Sequence, residues 1–207
     1  MIFDLRASNT ILEQLQGDVR TLTGAASFQK LMLGPEDQLL VSGDDLTAAF
    51  YLFRLPPDWA KYLVLRKPVR RSLFEPGHSG ETLVGINVLP MGWSSAVAIM
   101  QCAHRQLALR TELRFGAALH EKAEIRKDAV FPSLEESPAW AIYLDDTTIL
   151  EKVSKEVARS LEGLPPDEQL RLRRAYEWWG IPTNAGKALG VPRDWGHSLT
   201  EKRDCYE

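Results

Sequence analysis

Two cysteines, Cys102 and Cys205, are all that 207 residues contain. That is too few for a disulfide framework, and neither falls at metal-ligand spacing from His78, His104, His120 or His197, so both read as plain thiols. No apolar run approaches the roughly 20 residues a membrane span needs. The N-terminus carries Asp4 and Arg6 where a signal peptide would need an apolar core. The expected location is therefore intracellular, nuclear or cytoplasmic, with no membrane partner. Low-complexity tracts and internal repeats are missing too. So is any excess of positive charge: 25 Lys and Arg stand against 28 Asp and Glu, a net charge of −3. That balance weighs against a large nucleic-acid footprint, because phosphate contacts need clustered cations.

What remains is the composition of an ordinary globular chain, 44% hydrophobic and 26% charged, long enough for one well-buried domain or two small ones. Its basic residues are clustered. Arg66, Lys67, Arg70 and Arg71 form one group and Arg171, Arg173 and Arg174 another, each a solvated face unless a site adjoins it.

Strand and helix signals alternate irregularly. The opening MIFDLRASN resembles the tail of a strand entering a turn, with an upstream partner strand expected. Ser27 to Leu33 reads as a short helix stopped by Gly34-Pro35, and Gln38 to Ser42 as a strand ending in Gly43-Asp44-Asp45. A helical turn near Ala48 to Phe50 precedes expected strands at Tyr62 to Leu65 and Thr82 to Val88. Ser94 to Phe115 predicts a long helix, on which His104 reads as a hydrogen-bonded core-edge residue. Glu121 to Pro138 reads as a polar surface insertion, followed by helices from Lys152 to Leu161 and from Asp167 to Trp179. This order favours α+β.

Between that insertion and the first of those helices lies AIYLDDTTIL, Ala141 to Leu150, strand-forming residues around two adjacent carboxylates, Asp145 and Asp146. Asp is a common turn residue, which is one explanation. The other is a divalent cation neutralising the pair. Asp45 ends an earlier strand, and if that strand neighbours the hairpin, three carboxylates converge. Such a set suits Mg²⁺ or Mn²⁺ on an open sheet edge, with carboxylates roughly 4 to 8 Å apart, and two-metal displacement at phosphorus.

The same residues resemble the reverse transcriptases of retroelements. Asp45-Leu46-Thr47-Ala48-Ala49-Phe50-Tyr51, running on to Arg54-Leu55-Pro56-Pro57-Asp58, looks like that family's first catalytic motif. Leu89-Pro90-Met91-Gly92-Trp93, running on through Ser94 to Gln101, looks like the second, and Tyr143-Leu144-Asp145-Asp146 is similar to its Tyr-x-Asp-Asp box. Trp179-Gly180-Ile181-Pro182-Thr183-Asn184 with Lys187 resembles the fourth, and Asp4-Leu5-Arg6-Ala7-Ser8-Asn9 the fingers strand near the template. Gly43-Asp44-Asp45 also mimics the Gly-Asp-Asp box of viral RNA polymerases, but here it precedes the second motif. Asp45 is therefore read as the ligand and Asp44 as its solvent-facing neighbour.

The resemblance implies an RNA-directed DNA polymerase with Mg²⁺ or Mn²⁺, a template-primer of RNA or DNA, and deoxynucleoside triphosphates. Its fold would be α+β, a polymerase palm with partial fingers. Within one domain over 1–207, residues 1–25 and 54–90 would belong to the fingers, 26–53 and 91–200 to the palm. Asp45, Asp145 and Asp146 would hold metal. Lys187 would act as general acid, Leu46, Phe50 and Met91 would meet the nucleotide, and Arg6, Gly92 and Trp93 the template. Phe50 would exclude a 2′-hydroxyl. Ala48 and Met91 depart from the residues common in relatives. The family's triphosphate-gripping fingers residues lie upstream of Asp4, and Trp195-Gly196-His197 would only begin the primer grip, so a fragment without a thumb is expected. The alternatives are a catalytically silent relative that binds nucleic acid or a partner, and an unrelated two-metal phosphodiesterase.

Overall fold

The computed structural model describes residues 4–110, 119–161 and 164–184, and the backbone of 191–192. It is mixed α/β, with a small antiparallel sheet and helices. The chain divides into two compact units, Met1–Gln16 with Ala48–Met100, and Gly17–Thr47 with Gln101–Glu207. Among the described residues no helix is long and apolar enough to cross a membrane.

The second unit is built on four strands, β1 (Asp37–Asp45), β2 (Ala139–Tyr143), β3 (Asp146–Ser154) and β4 (Val191–Pro192), in the order β2-β3-β1-β4. Every pairing is antiparallel. Three helices accompany them: α1 (Ala96–Arg110), which begins in the first unit, α2 (Lys155–Ser160) and α3 (Asp167–Trp178). Paired residues share a face. On one face Leu39, Ala139, Ala141 and Leu150 pack with Ile125, and Phe28, Leu31 and Phe131 close over them. That same face ends in Asp45 and Asp146, directly opposite each other. The other face, with Asp44 opposite Thr147, meets side chains of α1 and α3.

The first unit contains little regular structure. Val69–Arg70 pairs with Glu81–Thr82, and isolated bridges join Val64 to Gly85 and Arg54 to Val88. The strands expected at Tyr62 to Leu65 and Thr82 to Val88 are thus short fragments of a ladder. Pro56 and Pro57 are one reason, since Pro57 opens a 3₁₀ turn that runs to Tyr62.

Other expectations shift as well. Arg6–Asn9 is a single helical turn, not the tail of a strand. The segment expected as a helix from Ser27 is a 3₁₀ helix, Ala25–Lys30. β1 runs on through Gly43 and Asp44 to Asp45. β3 continues to Ser154, whose hydroxyl then caps α2 by accepting from the Val157 N–H at 3.2 Å, so that helix begins three residues late. The polar stretch from Glu121 is more than a surface insertion. Ile125 is buried, its N–H donates to the Trp140 carbonyl at 2.6 Å, and Glu124 bridges Trp140 in parallel. Glu124 is tolerated there because Arg105 grips it with bonds of 2.7 to 2.9 Å.

Candidate metal centre

Asp145 lies in the two-residue turn between β2 and β3, where Tyr143 pairs with Asp146. Leu144, the first turn residue, has φ +56°, in the left-handed region that a leucine avoids. Two side chains of α1 hold it there. The Leu144 N–H donates to Gln101 Oε1 at 2.9 Å, and its carbonyl accepts from His104 Nδ1 at 2.6 Å. Gln101 also donates to the Ile142 carbonyl at 2.9 Å and to the Thr21 hydroxyl at 3.1 Å, which fixes its own rotamer.

A carbonyl only accepts, so the Leu144 contact puts the His104 proton on Nδ1 and leaves Nε2 as an acceptor. Tyr176 O–H donates to Nε2 at 2.7 Å, and the Thr147 hydroxyl donates to Tyr176 at 2.9 Å. Burial pushes the His104 pKa down from 6.5 to about 4, against the opposing effects of the Leu144 carbonyl and the Asp146 charge. Burial raises that of Tyr176. The support under the turn is therefore neutral at physiological pH.

Gly43 sets the spacing on the other side. A Cβ there would stand 2.0 Å from the Thr147 carbonyl oxygen, so only glycine lets β1 and β3 close at this point. Two residues on, Asp45 faces Asp146 across the ladder. Backbone bonds complete the frame. Leu46 N–H donates to the Asp145 carbonyl at 3.0 Å, and Asn184 N–H to the Asp45 carbonyl at 2.8 Å.

Asp45, Asp145 and Asp146 each offer an oxygen within 4.8 Å of the others. Asp45 and Asp145 are half-buried and Asp146 is exposed, so the group is open on one side. Like charges directly opposite in a sheet destabilise it. Three hard carboxylate oxygens fit Mg²⁺ or Mn²⁺, which accept oxygen donors and retain further positions for water or phosphate. The donor set could hold such an ion.

Asp44 is not solvent-facing. It points to the opposite face, as alternation requires, but α3 covers that face: Arg173 Nε donates to its Oδ1 at 2.9 Å and Gln169 to its Oδ2 at 3.2 Å, leaving Asp44 3% exposed. Arg173 thus leaves the solvated basic face that the sequence suggested.

No protein-family model and no curated protein matches this sequence.

The remaining candidates have definite places. Leu46 is buried at 4%, and its backbone holds the Asp145 turn. Lys187 lies outside the described residues, as does Trp195-Gly196-His197. The others belong to the first unit. Phe50 is half-buried in the helical turn Ala49–Leu52. Met91 precedes Gly92, whose φ of +110° requires glycine's freedom. The Asn9 side chain clasps that turn, donating to the Gly92 carbonyl at 2.9 Å and accepting from Ser94 N–H at 3.0 Å. Trp93 is buried, and Arg6 is exposed in a two-point pair with Asp4.

Gly43, Gln101 and Tyr176 support the site although the sequence pattern assigns them no role. Gln101 only closes the stretch that resembles the second motif. The spacing of Gln169, Leu172 and Tyr176 was the available sign of a buried helix face.

Proposed function

We propose that this chain is the palm, with part of the fingers, of an RNA-directed DNA polymerase that uses Mg²⁺ or Mn²⁺ for nucleotidyl transfer. The observation that carries the reading is the register: Asp45 ends β1 opposite Asp146, and Asp145 in the adjoining turn brings its carboxylate to the same place. In support, these carboxylates sit in two sequence stretches, Asp45 to Tyr51 and Tyr143 to Asp146, that resemble the first and third motifs and occur in the same order. A turn residue alone would not need Gln101, His104 and Gly43 arranged to hold it.

Asp45 and Asp145 would hold the cations, with Asp146 supporting them from its exposed position. Bound there, divalent ions would supply charge neutralisation at the phosphates and activation of the attacking hydroxyl. The half-open side would admit a triphosphate. Phe50 would select against a 2′-hydroxyl, Gly92 and Trp93 would meet template, and Lys187 would donate the proton to departing pyrophosphate.

The basic stretch from Arg54 to Arg71 favours a second reading, a silent relative that only binds nucleic acid. Primer extension separates them. On RNA and DNA templates with Mn²⁺ or Mg²⁺, the proposal expects little or no deoxynucleotide incorporation by these 207 residues and clear incorporation by an N-terminally extended form, which Asp145→Asn and Asp146→Ala abolish and in which Phe50→Val admits ribonucleotides. Tight primer-template binding without incorporation by either form under any metal would favour the silent relative. Incorporation undiminished in Asp145→Asn would remove the carboxylate mechanism.

A further inference from the structure

The first unit concentrates charge that the whole chain does not have. Residues 54–71 hold six basic side chains, Arg54, Lys61, Arg66, Lys67, Arg70 and Arg71, against one acidic residue, Asp58, a local balance of +5 in a chain of net −3. The same stretch leaves two aromatic rings in solvent, Trp59 at 38% exposure and Tyr62 at 61%. With Leu12, Leu63 and Trp93 they line a cavity of about 220 Å³. That is several times the ~30 Å³ occupied by one water. Every lining side chain is aromatic or aliphatic.

The rings are held in place. Trp59 stands edge-on to the buried Trp93, centroids 5.5 Å apart at 65°. Lys61 Nζ lies 5.0 Å from the centre of the Tyr62 ring. The backbone that follows is pinned, with Ile86 N–H donating to the Leu63 carbonyl at 2.9 Å and Leu65 N–H to the Val84 carbonyl at 2.8 Å. The indole N–H of Trp93 is buried without an acceptor among the described residues. Arg71 is engaged by Glu75 at 2.7 Å, whereas Arg66 and Lys67, beside the pocket in sequence, make no salt bridge among the described residues.

Exposed aromatic rings in a stretch of chain this rich in cations suit a ligand that is both flat and anionic. We propose that this pocket stacks an unpaired base of a single-stranded RNA or DNA segment while Arg66, Lys67 and their basic neighbours track its phosphates. Stacking accepts any base, because each has a π-face, and cations supply the salt-dependent part of the affinity. The inference rests on nucleic acid being the partner of the proposed polymerase, but it does not use the carboxylates.

The test is equilibrium binding of labelled oligo-U, oligo-dT, an abasic strand of equal length and a duplex, across a salt series without divalent metal. Tyr62→Ala and Trp59→Ala should each weaken binding of the base-bearing strands by roughly tenfold and leave the salt slope unchanged. Abasic and duplex binding should not move. Trp59→Phe should retain most of the affinity, and the double variant Arg66→Gln with Lys67→Gln should flatten the salt slope for every strand. Comparing oligo-U with oligo-dT tells whether RNA or DNA is preferred. Unchanged affinity in Tyr62→Ala and Trp59→Ala, or equal losses on abasic and base-bearing strands, would overturn the pocket. So would stronger displacement by an acidic polypeptide than by oligo-dT, which would assign the surface to a protein partner. Asp145→Asn keeps the two readings distinct. If the chain stacks bases but even the N-terminally extended form never extends a primer, the pocket stands and the polymerase falls. If it extends a primer while the ring variants bind normally, the reverse holds.

Discussion

Asp45 and Asp146 stand directly opposite each other in adjacent antiparallel strands, on the sheet face whose other end is filled by Leu39, Ala139 and Leu150. One face therefore does two jobs along its length, with apolar burial at one end and an open carboxylate cluster at the other. The residues behind the cluster determine whether it keeps its shape.

Gly43 is the most sensitive of these. Gly43→Ala would drive a methyl to 2.0 Å from the Thr147 carbonyl oxygen, backbone that cannot swing aside. Urea denaturation should show a loss on the order of 2 kcal/mol, in the range of overpacked cores. Gly24→Ala, with nothing within 4 Å of the added carbon, should be nearly neutral. Equal effects of the two would mean that β1 and β3 can separate freely.

Gln101 should matter through Leu144. Gln101→Ala strips an acceptor from the Leu144 N–H and a donor from the Ile142 carbonyl, a loss of about 1–3 kcal/mol for buried groups left unpaired. Adding Leu144→Gly should recover part of it, since glycine holds positive φ without help. A double-mutant cycle in the two residues should therefore show clear coupling, and strict additivity would mean the turn does not depend on Gln101.

His104 gives the fold a specific acid sensitivity. Its folded pKa of about 4 lies below the ordinary 6.5, so the unfolded chain binds the proton more readily between those values. Stability from the neutral imidazole is complete above about 6.5 and is lost as pH falls toward 4, by about 3 kcal/mol in all. His104→Gln, though less stable at neutral pH, should show a shallower decline in that window when unfolding is followed by denaturant titration. Parallel curves for the two proteins would show that His104 does not stay neutral when buried.

The sequence made the carboxylates legible because strand endings and a turn are local features, and the strand-turn-strand pattern around Asp145 survives in the fold. Asp44 reads as solvent-facing from the sequence because alternation says which face a residue takes, not what covers that face. Only the docking of α3, with Arg173 and Gln169, shows that its side is buried. Arg105 and Glu124 were invisible for a similar reason. A charged residue on a helix reads as solvated until a partner nineteen positions away is brought against it. The short ladder of the first unit reads as full strands from the sequence because β-branched and aromatic runs mark extended chain without revealing how many partners it finds.

The most direct measurement of the central claim is Mn²⁺ binding followed by electron paramagnetic resonance, in the wild type and in single carboxamide variants. The account predicts a specific Mn²⁺ site that Mg²⁺ competes for and that Asp45→Asn and Asp145→Asn each remove. Asp44→Asn should retain the site, because Asp44 lies on the other face against Arg173. No specific binding by the wild type, or a site kept by both Asp45→Asn and Asp145→Asn, would contradict it.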